Sequence, residues 1–324
     1  MRYRSFGTTG WQVSEIGFGA WQLGGDWGDT DDAASITTLH HAFERGINFV
    51  DTAQMYGRGR SESVVGTALK QWRGGRIYVA TKVQPTAWPS PDEDAPQMRG
   101  RYPRWYLRRE VEACLARLQV DRIDLLQLHC WIPAGTHELD WLEALNELRL
   151  EGKIDHIGVS IRDYRPEDGI GLAGLGLVQS MQVVFNLFEQ RPADGLFKAA
   201  ARNAPAFIAR VPLDSGSLTG AWTSDTYGRW QPGSVPHTLF RNERFAETLR
   251  RVDALKALCA PHFRTLAEAA MRYTLSAPET TTVIPGMRNP DEIDMNVAYS
   301  DGAAFPPELR EQLAAHAWPR NYYQ

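Results

Sequence analysis

The chain has 324 residues, 43% hydrophobic and 23% charged, which is enough apolar material for a large globular core. A formal charge of −4 leaves no electrostatic footprint for nucleic acid, and no basic run marks an anionic membrane surface. Cys114, Cys130 and Cys259 lie far apart without a Cys-x-x-Cys spacing, so neither a disulfide framework nor a metal site is implied.

The opening residues lack the apolar core of a signal peptide, and nowhere do about 18 apolar residues run together. A cytoplasmic protein without a membrane span is therefore expected. The segment Arg2–Gly17 holds Gly-Thr-Thr-Gly between two extended stretches and reads as a β-hairpin plugging one end of the fold. Eight short runs rich in branched and aromatic residues then read as strands: Ile16–Ala20, Ile47–Val50, Ile77–Thr81, Ile123–Leu128, Ile154–Val159, Met181–Phe185, Ala206–Val211 and Thr281–Ile284. Helical apolar spacing fills Asp31–Arg45, Ser61–Trp72, Trp105–Leu118 and His137–Leu150, the last stopping at Gly152. This alternation has no open-sheet switch point. It predicts an α/β protein, a (β/α)8 TIM barrel forming one domain over residues 1–324. Two long connections, Gln84–Pro103 and Asp214–Arg241, follow strands and are expected to lie as lids over the active-site face.

Three strands end in residues that an apolar core would not choose: Phe-Val-Asp51, Val-Ala-Thr-Lys82 and Leu-Leu-Gln-Leu-His129. Carboxyl ends of barrel strands converge on one mouth, and Tyr56 follows Asp51 on the same loop. Taken singly, Asp51 reads as a cap, Tyr56 as packing, Lys82 as a surface charge and His129 as a satisfied interior histidine. Together they suit carbonyl reduction, in which oxygen gains negative charge and needs a proton. A free phenol titrates near pH 10, and a neighbouring Lys82 ammonium is expected to lower that value. Asp51 would aim Lys82, while His129 would donate to the carbonyl and orient it.

The stretch Gly46-Ile-Asn-Phe-Val-Asp-Thr-Ala-Gln-Met-Tyr-Gly57, with Ser61-Glu62 and Val65-Gly66, resembles the signature of the aldo-keto reductase superfamily. The resemblance implies the catalytic tetrad Asp51, Tyr56, Lys82 and His129, and a nicotinamide cofactor held without a dinucleotide-fold glycine motif. Gly169-Ile-Gly-Leu-Ala-Gly174 satisfies G-x-G-x-x-G, yet no strand precedes it, and it reads as a loop.

By the same resemblance, Ser160 and Gln182 would bind the carboxamide, and Leu213, Ser215 and Ser217 the pyrophosphate. Gly286, Met287 and Arg288 would surround a 2′-phosphate, with Glu292 and Asn296 facing the adenine. Arg288 favours NADP (NADPH) and leaves NAD open. Ile161, Phe185 and Arg210 depart from the family pattern. Trp21, Trp88 and Trp131 are the expected substrate walls. The expectation is thus an oxidoreductase reducing an aldehyde or ketone, with a small carbonyl or alcohol as its partner. Sugar or polyol oxidation and a cofactor-sensing role like that of channel β-subunits are the alternatives.

Overall fold

The computed structural model describes residues 1–90, 93 and 96–322. Two short antiparallel strands, β1 (Tyr3–Ser5) and β2 (Gln12–Ser14), form the hairpin. Eight parallel strands follow: β3 (Phe18–Gly19), β4 (Phe49–Asp51), β5 (Tyr78–Val83), β6 (Ile123–Leu128), β7 (Ile154–Ser160), β8 (Ser180–Val184), β9 (Ala206–Arg210) and β10 (Thr280–Ile284). They pair in sequence order. The ends are stitched by Gly17 N to Val283 O (2.8 Å), Val283 N to Glu15 O (2.9 Å) and Gly19 N to Pro285 O (2.9 Å), which closes the barrel. The first strand is shorter than its apolar run because closure uses these isolated bridges rather than a full ladder.

The hairpin plugs the amino-terminal end, as expected. Phe6 is buried and packs on Phe49 with ring centres 5.4 Å apart, while Trp11 stacks on Tyr78 at 4.5 Å. Gly7 has φ +52° and lies against Ala206, whose backbone nitrogen would be 2.8 Å from an added Cβ. A side chain there would lift the plug away.

Helices α1 (Asp32–Glu44), α2 (Arg60–Gln71), α3 (Arg104–Leu118) and α4 (Asp140–Leu150) carry the early crossovers. Gly152 follows α4 at φ +76°. The glycine-rich decoy is a helix rather than a loop: Ile170–Leu175 forms α5, because Leu172 and Ala173 face the core. Two single turns, α6 (Arg191–Asp194) and α7 (Leu196–Ala199), follow β8. The segment Asp214–Arg241 is more ordered than a plain loop. It contains turns at Asp214–Thr219 and Tyr227–Arg229 and the helix α8 (Val235–Leu239), packed around Trp222, Trp230 and Phe240. Val235 N bonds Asp26 O at 3.1 Å, so the segment ties to the loop after β3. Helices α9 (Glu243–Cys259), α10 (Leu266–Leu275), α11 (Pro290–Ala298) and α12 (Pro307–Ala314) complete the chain. No helix among the described residues is long and apolar enough to cross a membrane.

Candidate active site

Strand register brings the polar strand ends to one rim. Asp51 lies opposite Ala80 and Lys82 opposite Gln127, with His129 just beyond β6. The Lys82 ammonium, fully buried, donates to Asp51 Oδ2 at 2.6 Å, to Thr52 O at 2.8 Å and to Tyr56 Oη at 3.4 Å. Its three protons are thereby all directed. Asp51 Oδ1 accepts from Gln127 Nε2 (3.1 Å) and Gln182 Nε2 (2.8 Å). A buried ion pair is tolerable only when its remaining lone pairs are satisfied in this way.

The turn that presents Tyr56 depends on glycine. Gly57 sits at φ +57° with its backbone against Gly24, where an added Cβ would stand 2.2 Å from the Gly24 oxygen. Asp26 Oδ2 accepts from Gly57 N (3.2 Å) and from Trp21 Nε1 (3.1 Å), and Trp21 stacks on the Tyr56 ring at 5.6 Å. The downstream Ser-Glu of the motif is a brace behind the site. Ser61 Oγ donates to Ala20 O (2.7 Å), and the buried Glu62 accepts from Thr81 Oγ1 (2.5 Å) and Arg117 Nε (2.6 Å). Gly66 lets α2 approach the end of α3, since a Cβ there would meet Leu118 O at 2.5 Å.

Electrostatics differ from expectation at one point. Burial raises the Tyr56 phenol well above its ordinary value, and Asp51 adds to the rise. Lys82 was expected to lower it, but its ammonium is spent on Asp51 at the shorter distance. Burial lowers Lys82, with Asp51 opposing. His129 is held well below the usual imidazole range by burial, Lys82 and Arg210, so it is neutral. Its ring meets Tyr56 edge-on at 5.8 Å.

A cavity of about 600 Å³ runs from Asp51, Tyr56 and His129 to Arg288 and Asn296. Ser160, Gln182, Leu213, Ser215, Gly286, Arg288 and Glu292 also line it. The amide of Gln182 is committed to Asp51, so that side chain aims the carboxylate as well as facing the cavity. Ser217 and Met287 do not line it. Ser217 is buried beneath the turn with its hydroxyl on Asp214 Oδ2 (2.5 Å), and Met287 belongs to the core. Trp21 and Trp88 are wall residues, Trp88 lying 5.6 Å from the His129 ring. Trp131 is not: it is fully buried edge-on against Trp141 at 5.4 Å, with Nε1 bonded to Asp168 O. A tryptophan after a strand can turn to either side, and this one turned inward. Phe185, too, is core, packed on Phe197 and Tyr273.

The lining includes residues that sequence reasoning passed over: Trp27, Asp163 and Asn321. Trp27 follows Trp21 closely enough to have been suspected, and the two rings meet at 5.2 Å. Nothing local marks Asn321, which reaches the cavity only because the chain end folds back. There Trp318 N bonds Phe188 O at 2.8 Å, and Arg320 pairs with Asp214.

Comparison with known proteins agrees with this fold. The profile of the Aldo/keto reductase family matches residues 15–317. The aldo-keto reductase YhdN of Bacillus subtilis is 32% identical over 297 residues, 91% of this chain and 87% of that protein. The NADH-specific methylglyoxal reductase of Escherichia coli is 29% identical over 92% of this chain and 93% of its own length. Among solved structures, the glycerol dehydrogenase AKR11B4 of Gluconobacter oxydans superposes with a TM-score of 0.78 at 27% identity, covering 97% of this chain and 94% of that one. With its closed eight-stranded barrel, the chain belongs to the aldo/keto reductase family of oxidoreductases.

Proposed function

We propose that the protein reduces an aldehyde or ketone to the alcohol with NADPH, Tyr56 passing the proton. The observation that carries this reading is the Tyr56 hydroxyl 3.4 Å from a buried ammonium, in a cavity shared with His129. A bound reduced nicotinamide supplies the hydride. Tyr56 gives its proton to the carbonyl oxygen as that oxygen becomes an alkoxide, a far stronger base than a phenolate. Lys82 faces the charge left on the phenol, and Asp51 keeps Lys82 charged. His129, neutral, donates one ring proton to the carbonyl without competing as an acid. The raised phenol suits the reductive direction, because Tyr56 stays protonated until an alkoxide forms.

The residues at the far end of the cavity fit a dinucleotide. Asn296 Oδ1 is a buried acceptor without a partner among the described residues, matching the exocyclic amine of adenine. Asp214, Ser215 and Gly216 turn successively through φ +46°, +56° and +100°, a concave backbone suited to phosphate. Arg288 is exposed, and its guanidinium has no carboxylate partner among the described residues, which favours a 2′-phosphate. One relative is named NADH-specific, so family membership does not choose the cofactor, and Arg288 is the basis for choosing NADPH.

The likeness to a glycerol dehydrogenase supports a second reading, oxidation of a polyol by the same groups run backwards. Coupled assays in both directions, with both cofactors and a carbonyl and polyol panel, separate the two. Tyr56→Phe should lose steady-state turnover by about a thousandfold or more while binding NADPH normally. Wild-type turnover by that variant would remove Tyr56 from the reaction.

A further inference from the structure

Arg210 closes β9 and lines the cavity on the same rim as the buried Lys82. A second cation there is costly, because each disfavours the other. It is held in place from the neighbouring wall: Nη2 donates to Ile161 O at 3.0 Å and to Asp163 Oδ1 at 2.7 Å. Both partners lie in the loop after β7.

The pair is not symmetric. Arg210 is 16% exposed and Asp163 36%, so the guanidinium is the more enclosed partner, and both line the cavity. The charge of Arg210 acts on Tyr56, Lys82 and His129 alike, disfavouring added positive charge at each, although Asp51 outweighs it at Tyr56 and Lys82. Arg210 therefore adds a positive contribution to the chamber, which Asp163 moderates.

Building on the nicotinamide reading above, we infer that Arg210 and Asp163 set the relative affinity of the site for the two redox states of the cofactor. A ring able to reach a carbonyl held by Tyr56 and His129 must share the chamber with this guanidinium. The oxidised ring carries a positive charge and the reduced ring none. The attraction of Arg210 for phosphates is common to both forms and cancels in their ratio, leaving repulsion of the oxidised ring alone. Arg210 thus favours holding NADPH and releasing NADP+, which biases the enzyme toward reduction, and Asp163 limits the bias.

The test is a substrate-free titration of NADPH and NADP+ by protein fluorescence, on wild type, Arg210→Gln, Arg210→Lys and Asp163→Asn. The ratio Kd(NADP+)/Kd(NADPH) should fall about tenfold in Arg210→Gln, stay near wild type in Arg210→Lys and rise in Asp163→Asn. Equal weakening of both forms in Arg210→Gln would make the pair a structural brace and overturn the inference. So would a shift of the same sign in Asp163→Asn. An unchanged ratio with a raised KM for a carboxylate-bearing carbonyl would assign Arg210 to the substrate instead. Wild-type protein that binds neither form would overturn the nicotinamide reading itself, an outcome distinct from binding with an unaltered ratio.

Discussion

Replacing Lys82 with methionine separates two roles of one ammonium: neutralising Asp51 and stabilising charge on Tyr56. The side chain is fully buried, and Met keeps its length while removing the charge. Asp51 would retain its bonds from Gln127 and Gln182 but lose the cation at 2.6 Å. Stranding one member of a buried pair costs about 3–5 kcal/mol. The rate effect follows from the other contact. At 3.4 Å and an effective dielectric of about 20, the ammonium attracts a full phenolate charge by about 5 kcal/mol. With about half that charge developed in the transition state, the loss is about 2.4 kcal/mol, or about 60-fold in kcat. The double variant Asp51→Asn with Lys82→Met removes the stranded carboxylate, so urea unfolding should return most of the lost stability while kcat stays low. Urea titration and steady-state kinetics on both variants decide the matter. A Lys82→Met enzyme within about threefold of wild-type kcat, or a double variant regaining rate along with stability, would refute the reasoning.

Arg288→Ala should weaken NADPH by about tenfold and NADH hardly at all, as measured by equilibrium titration; equal losses would mean that Arg288 does not read a 2′-phosphate. Trp131→Ala should cost about 3–5 kcal/mol in urea unfolding because it empties a core site, whereas Trp21→Ala should mainly alter KM across a carbonyl panel. The pH profile carries a further expectation. The folded-state value of His129 is depressed, so below its unfolded value of about 6.5 the unfolded chain binds the extra proton. Its contribution to stability is therefore complete above that pH and declines as pH falls below it. His129→Asn should flatten that decline by up to about 1.4 kcal/mol per pH unit. Because Tyr56 is raised, kcat/KM for reduction should stay level up to about pH 10, and an earlier alkaline fall that disappears in no variant but Tyr56→Phe would contradict the raised phenol.

Much of the barrel is local in origin, and so it is legible in a single sequence. Buried parallel strands demand unbroken apolar runs, and the stretches around Val50, Val79, Leu126 and Ile208 could hardly be anything else. The polar cluster at the rim could be read for a related reason: Asp51, Lys82 and His129 interrupt those runs with groups whose burial only chemistry or pairing would justify. The reading failed where one residue type serves two environments. Trp88 faces the cavity and Trp131 the core, although both are tryptophans in loops after barrel strands. Ser215 and Ser217 share one short turn, yet only the first lines the cavity, because the turn's positive φ values carry the second beneath it.

What the order of amino acids determined by itself is the periodic alternation, the glycines at Gly57 and Gly66 and the polar residues placed at the strand ends, since each rests on steric or burial rules acting over a few residues. What only the tertiary structure decided is who neutralises whom. The pairing of Arg210 with Asp163, the two glutamines on Asp51 and the return of Asn321 to the cavity join segments remote in the chain. So does the balance that leaves Tyr56 raised rather than lowered, because desolvation and Coulomb forces depend on distance and enclosure, and neither is set until the barrel closes.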